Sequence, residues 1–410
     1  MKAATDDKEP LVDRVAQVGE DLGRTLTAVL RALPGAPRRP NQLARDLGLN
    51  RDIASRVLGA TAKTDPLSVV HRIPGPEPLR RFVRAAEKKG APAALAGAAR
   101  EAIDAFDALI RDDAGTRAAL DAMISAGSQD ARERFETASK YSVYKGMSQL
   151  KGVLAKHWLG TAVVVPSASD ETRLDLTWLT GAVAMQRLRP GVTVRFGYRD
   201  RALTKGGEIA PEGPGDELKG LPGIETLERF CVNPPAPLEA RAAGRAVHYT
   251  LPDELLGPRD VCDVYVVDDH PSAMRRYSEE TPPRRVSLFV EPALPVASLV
   301  FDVLLHDDAF PGAEPTLFVY DTGYDGIANV NDSARDIDRV DLKETVEVLG
   351  RDLRSFEASE IAHYNPMLLH LAERSGWDPA RFRGYRTRIQ YPVYGWQVCL
   401  AFTPPKGPGA

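Results

Sequence analysis

The sequence predicts a chain of several domains: an all-α head, a helical connector, and an α+β body of mostly antiparallel β character. Three observations predict it. The 410 residues exceed one ordinary domain. Apolar residues recur at helical spacing up to about residue 160, then alternate in short β-branched runs between Pro/Gly turns. Charge is unevenly divided: residues 1–90 hold 17 Lys and Arg against 11 Asp and Glu, the rest 36 against 46, for a net −4. A basic head on an acidic body suits a protein that meets nucleic acid with one end.

The elements follow in order. Residues 10–33 place Leu11, Val15, Val18, Leu22, Leu26, Val29, Leu30 and Leu33 on one helical stripe, and "PGAPRRP" ends it. "NQLARDLGLNRDIASRVLGA" (41–60) reads as two short helices about a glycine. "DPLSVVHRI" (65–73) alternates and is β-branched, so a short strand is expected; "PGPEP" turns the chain into a basic helix closed by Gly90. Residues 91–160 read as helical throughout. The last of these helices, from Asp130 to Gly160, would be about 45 Å long at 1.5 Å per residue, which fits a connector or a dimer helix. From 161 onward "TAVVVPS", "RLDLTWLTGAVAMQRL", "GVTVRFGYR", "AVHYTL", "VCDVYVVDD", "RRVSLFV", "VASLVFDVLLHD" and "TLFVYDTG" read as strands, and 203–240 as a long surface excursion. "LKETVEVLGRDLRSF" and "NPMLLHLAERSGW" read as late helices, and "YRTRIQYPVYGWQVCLAFTPP" as one or two closing strands.

The helix pair carries the strongest motif. Gly48 can take the positive φ of a tight turn. Leu43, Ala44 and Leu47 face inward before it; Asn50 is a good N-cap after it. Ile53, Ala54, Val57 and Leu58 make an apolar face, leaving Arg51, Asp52, Ser55, Arg56, Gly59 and Lys63 outward. A major groove admits such a helix, because Arg bonds guanine edges and small residues allow close approach. "LARDLGLNRDIASRVL" resembles the helix-turn-helix of bacterial transcription regulators. With the helix before it and the strand expected after it, residues 10–90 are similar to the winged type, nearest IclR-type repressors. The resemblance implies a recognition helix at 50–63, a wing near 66–78, and DNA contacts by Arg38, Arg39, Asn50, Arg51, Ser55, Arg56, Lys63, Arg72, Arg80 and Arg81. It covers a fifth of the chain and leaves 161–410 unassigned.

The rest bears weaker signals. Asp268, Asp269 and His270 end one strand and His306, Asp307 and Asp308 another; a divalent metal or two polar strand exits would each explain them. His363 and His370, seven apart, share a face only if their helix begins before Asn365–Pro366. Trp178, Phe196, Tyr198, Tyr394 and Trp396 belong to a sheet core or line an effector pocket. Lys140, Tyr141, Tyr144, Lys145 and Lys151 read as a solvated helix face, with a nucleic-acid surface as the alternative. No nucleotide-binding glycine motif or GxSxG elbow occurs, and Cys231, Cys262 and Cys399 are too scattered for a cysteine zinc site. No catalytic residue, metal or cofactor is assigned. The polar N-terminus and the lack of any long apolar run predict a cytoplasmic protein away from membranes. The expectation is a regulator with a head at 1–90, a connecting and dimerising segment at 91–160, and a sensor body at 161–410. Its partners would be double-stranded DNA, a second copy in a homodimer, and a small-molecule effector. The alternatives are an enzyme using the Asp/His cluster with the head as docking module, and a scaffold whose helix pair binds protein.

Overall fold

The computed structural model describes residues 11–35, 39–125, 129–200, 217–218, 223–233, 237–243, 246–251 and 261–407. The chain forms two compact units, Met1–Ser139 and Lys140–Ala410.

The described residues of the first unit hold helices and no strand: α1 (Leu11–Ala32), α2 (Pro40–Leu47), α3 (Arg51–Thr61), α4 (Pro66–Arg72), α5 (Pro76–Lys88), α6 (Ala93–Ala108), a π-helical turn at Leu109–Ala114, and α7 (Arg117–Ser125). A further helix, α8 (Gln129–Lys151), runs from this unit into the next. Proline opens α2, α4 and α5, where its missing N–H costs nothing. Leu22, Leu26 and Val29 of α1 are fully buried with Leu79 and Phe82 of α5 and Ile103 and Phe106 of α6. A Cβ on Gly19 would lie 2.2 Å from the Pro66 carbonyl oxygen, so the glycine lets α4 start directly against α1.

The strand expected at 65–73 is helix α4, and the expected wing at 66–78 is α4 followed by the start of α5. Local chemistry explains the correction. The Asp65 carboxylate accepts from the N–H groups of Leu67 (3.3 Å) and Ser68 (3.0 Å), and Pro66 stands at the first helical position. N-cap and proline together outweigh β-branching in a seven-residue element. Leu67, Ser68, Val69 and Val70 are all buried, so the apparent alternation marked no half-exposed strand.

The second unit is built from fourteen described strands and one α-helix beyond α8. The strands are β1 (Val153–Pro166), β2 (Arg173–Arg187), β3 (Val194–Asp200), β4 (Glu217–Leu218), β5 (Ile224–Thr226), β6 (Glu239–Ala243), β7 (Ala246–Leu251), β8 (Cys262–Arg275), β9 (Val286–Val290), β10 (Val296–His306), β11 (Thr316–Asp321), β12 (Glu347–Arg351), β13 (Phe382–Gln390) and β14 (Trp396–Phe402), with α9 at Tyr364–Ser375. One sheet has the order β12-β13-β10-β1-β2-β8-β5, a second β11-β14-β9, a third β3-β7-β6-β4. Among the described strand pairs only β1 and β10 run parallel; the others are antiparallel.

Two helical expectations are corrected here. The helix expected to reach Gly160 ends at Lys151; Gly152 takes φ +69°, and β1 follows at Val153. The stretch "LKETVEVLGRDLRSF" is not a helix: Glu347–Arg351 forms edge strand β12 and Leu353–Ser355 a 3₁₀ turn, with Gly350 at φ +91° and Asp352 at φ +75° barring a continuous helix. The helices at 93–125 also pack differently from a connector, since Ile103, Phe106, Leu109, Leu120 and Ile124 lie in the core of the first unit. Of the excursion expected at 203–240, residues 217–218, 223–233 and 237–240 are described; the remainder lies outside the described residues.

The long sheet is covered on both faces. Leu159 and Val163 of β1, Leu179 of β2, and Val300 and Leu304 of β10 pack on Met367, Leu368 and Leu371 of α9. The opposite face, with Trp158, Ala162, Val264 and Phe301, packs on Leu288 and Val290 of β9 and Val398 and Leu400 of β14. Gly160 makes the second contact close, because a Cβ there would lie 2.4 Å from a methyl of Val290. Beneath α9 lies a buried polar network. Arg386 on β13 clamps Asp302 on β10 with two bonds (2.7 and 2.6 Å) and gives a third to the Glu357 carbonyl (2.6 Å), while the Tyr364 hydroxyl also donates to Asp302. Burial and the adjacent carboxylate push the Tyr364 phenol far above its usual range, so it keeps its proton and acts as donor.

Candidate functional site

The first candidate is the α2–α3 pair. Gly48 adopts φ 64° and ψ 37°, and its N–H closes α2. Asn50 caps α3: its side-chain oxygen accepts from Asp52 N–H at 2.9 Å. Leu43, Ala44 and Leu47 are buried against Ala54, Val57 and Ala60, as the motif requires.

The outward residues divide by what they touch. Arg51 is exposed and makes no side-chain bond or ion pair among the described residues. Arg39 is exposed just before α2, and Ser55 is half-buried. Arg56 is engaged within the fold: its Nε donates to the Arg72 carbonyl (3.2 Å) and its Nη2 to that of Ile73 (2.9 Å). Arg117 donates to the carbonyls of Val70 and His71 (2.6 and 3.0 Å), so two arginines together satisfy the end of α4. Arg80 is held by Asp104 and Asp107 of α6, each at 2.8 Å. Arg81 lies 3.8 Å from Glu77, which also pairs with Arg84. The Arg72 guanidinium lies over Gly59, where a Cβ would approach its Nε to 2.2 Å. Lys63 is half-buried beside Arg24 and Arg31 in a surface groove on α1. Arg38 lies outside the described residues. Arg51, Ser55, Asn50 and Arg39 thus belong to the helix pair's own surface, while Arg56 and Arg80 have structural partners.

The second candidate lies in the body, a cleft of about 900 Å³ between the long sheet and the two smaller ones. Strand register builds its floor. Trp178 stands opposite Asp268, Leu176 opposite His270, and Thr180 opposite Val266, with small Ala162 beside Trp178 on the next strand. Phe196 of β3, Tyr249 of β7, Phe289 of β9, Glu291 and Tyr394 form the other walls. Trp158 and Phe196 meet with ring centroids 5.4 Å apart. Burial pushes the Glu291 carboxyl above its usual range.

The chain matches no protein-family model and no curated protein. Its own geometry must therefore sort the remaining residues.

The Asp/His cluster does not assemble. Asp268 and His270, 3.0 Å apart, line the cleft, whereas Asp269 points to the other face and is bonded by Thr177 (2.6 Å) and Arg374 (2.8 Å). His306, Asp307 and Asp308 lie at the end of β10, with two strands between it and β8, and Asp307 and Asp308 pair with Arg351 and Arg381. His363 precedes α9 and His370 lies within it; both rings flank Phe230, at 6.5 and 6.0 Å. Of the aromatic residues singled out in the sequence, Trp178, Phe196 and Tyr394 line the cleft and Trp396 is buried in the core; the Tyr198 side chain lies outside the described residues. Lys151 donates to the Tyr394 hydroxyl (3.0 Å), and Tyr141 and Tyr144 pack on Tyr391, so the expected solvated face is partly a packing face. Sequence reasoning missed Trp158, Tyr249 and Glu291, which meet only where the three sheets pack. It also missed the bond between His157 and Ser298 (2.7 Å), on the adjacent strands β1 and β10.

Proposed function

We propose that the chain is a DNA-binding transcriptional regulator that reads duplex DNA with α3 and senses a small molecule in the body cleft. The observation that carries this reading is the α2–turn–α3 geometry: a left-handed Gly48, Asn50 capping α3, and a helix whose first two turns carry an exposed Arg51 and a half-buried Ser55. An α-helix offered by its N-terminal end fits the major groove, and Arg51 can fork onto a guanine edge. The contact comes from α3 and the approach to α2, with Arg39 available to phosphate, and needs no wing. One such helix makes few base contacts, so a two-fold dimer with recognition helices about 34 Å apart belongs to the proposal.

The test is fluorescence anisotropy of the full chain on duplex DNA between about 50 and 200 mM salt. Phosphate contacts release counterions, so affinity is expected to fall steeply over that range. Undetectable or salt-independent binding overturns the reading.

A further inference from the structure

We infer that the body cleft takes an organic cation with an aromatic or apolar body, an amine or a quaternary onium. This deepens the effector role proposed above and rests on that reading only for coupling to DNA.

Three observations point this way. The first is size: about 900 Å³ falls at the upper end of small-molecule sites, roughly 300–1,000 Å³. The second is the wall. Trp178 and Phe289 line the cleft half-buried, and Trp158, Phe196 and Tyr249 close it at 3%, 2% and 3% exposure. Aromatic rings attract cations through their quadrupole, and Trp does so best. The protein already uses this chemistry at the cleft's edge, where Lys151 lies 4.3 Å over the Tyr394 ring.

The third is charge. Asp268 enters from the long sheet and Glu291 from the segment after β9, so carboxylates approach from two walls. Cross-strand pairing sets Asp268 directly beside Trp178. Among the described lining residues Arg195 is the one guanidinium, and its side chain is exposed, where water screens it. The His270 Nε2 lies 3.0 Å from the Asp268 carboxylate. Among the described residues the cleft lining holds two carboxylates and one arginine, with Lys151 at the edge held on Tyr394. A carboxylate in an apolar cleft is poorly solvated, as the raised Glu291 carboxyl indicates. A cation with an apolar body relieves that penalty and covers the rings in one step; an anion would do the reverse.

Tetraphenylphosphonium and tetraphenylborate test this, because they share a shape and differ in the sign of their charge. Titration calorimetry on the full chain is expected to give at least tenfold tighter binding of the phosphonium. Glu291→Gln and Asp268→Asn are each expected to weaken the phosphonium several-fold and to leave the borate unchanged or improved. Equal binding of both ions, tighter binding of the borate, or no binding of either overturns the assignment, and the unmodified chain alone decides this. Repeating the DNA titration with saturating phosphonium separates the two readings. Phosphonium binding on a chain that never binds DNA supports the cleft and sinks the regulator. DNA binding without phosphonium binding sinks the cleft assignment alone.

Discussion

At the scale of single residues, Arg51 and Arg56 look alike in sequence and differ in the fold. Arg51 is free to reach a ligand, while Arg56 completes the end of α4. Arg51→Ala is expected to leave the urea midpoint unchanged and to cost on the order of 1–3 kcal/mol of binding to a selected DNA site. Arg56→Ala is expected to lower the midpoint, by about 0.5–1.5 kcal/mol for each lost bond. If the two variants melt alike, the division between them is wrong. The buried network follows the same logic. Arg386→Leu strands the Asp302 carboxylate at 0% exposure and is expected to cost about 3–5 kcal/mol, more than Tyr364→Phe, which leaves the arginine clamp intact. His157 gives a pH test. Burial, with Lys156 adding, lowers its pKa, so the folded chain binds the proton less readily than the unfolded one. Its contribution is therefore complete above about pH 6.5 and is lost as pH falls below that. Thermal melts of His157→Gln should lose less between pH 7.5 and 5 than melts of the parent chain.

At the scale of elements, helix α4 shows how capping decides between two readings of one segment. "PLSVVHR" has strand-like composition, yet Asp65 and Pro66 start a helix, and Arg56 and Arg117 finish it. Asp65→Ala is expected to cost about 0.5–2 kcal/mol by urea unfolding, the ordinary value of an N-cap. A strand would lose almost nothing there. Gly48→Val should cost about 1–2 kcal/mol, since a β-branched residue must then hold φ 64°. Strand β12 is the counterpart. Its residues favour helix locally, but pairing to β13 at the sheet edge and two positive-φ positions fix it as a strand. No window within the segment contains that partner.

At the scale of the whole molecule, assembly is open to measurement. Val143, Gly146, Met147 and Leu150 fall at i, i+3, i+4 and i+7 on α8, the spacing of one helix face. Val143 is 40% exposed and Leu150 72%. On the same helix Lys140, at 4% exposure, bonds Glu344 at 2.7 Å, so this end of α8 is fixed to the body while the apolar stripe faces out. Sedimentation of the full chain is expected to show a dimer at micromolar concentration, and Leu150→Glu to shift it toward monomer. A parent chain that is monomeric throughout removes the two-fold binding mode. Among the described residues no helix is long and apolar enough to cross a membrane.

The sequence by itself determined whatever is held by neighbours in the chain. Helix α1 and its stripe, the Gly48 turn, the Asn50 cap and strands β2, β8, β10 and β13 of the long sheet all rest on periodicity, turn residues and caps, which act over a few residues. Only the tertiary structure decided which arginines of the head are available, because Asp104, Asp107 and the carbonyls of Arg72 and Ile73 come from other elements. Only it decided that Asp268 faces Trp178 in a cleft while Asp269 turns to Arg374, since strand alternation sends neighbours to opposite faces and register chooses the face. The cleft itself needs Trp158, Tyr249 and Glu291, which are far apart in the chain and meet only when three sheets pack. A single sequence carries local propensity directly, whereas long-range pairing depends on partners that no local pattern names.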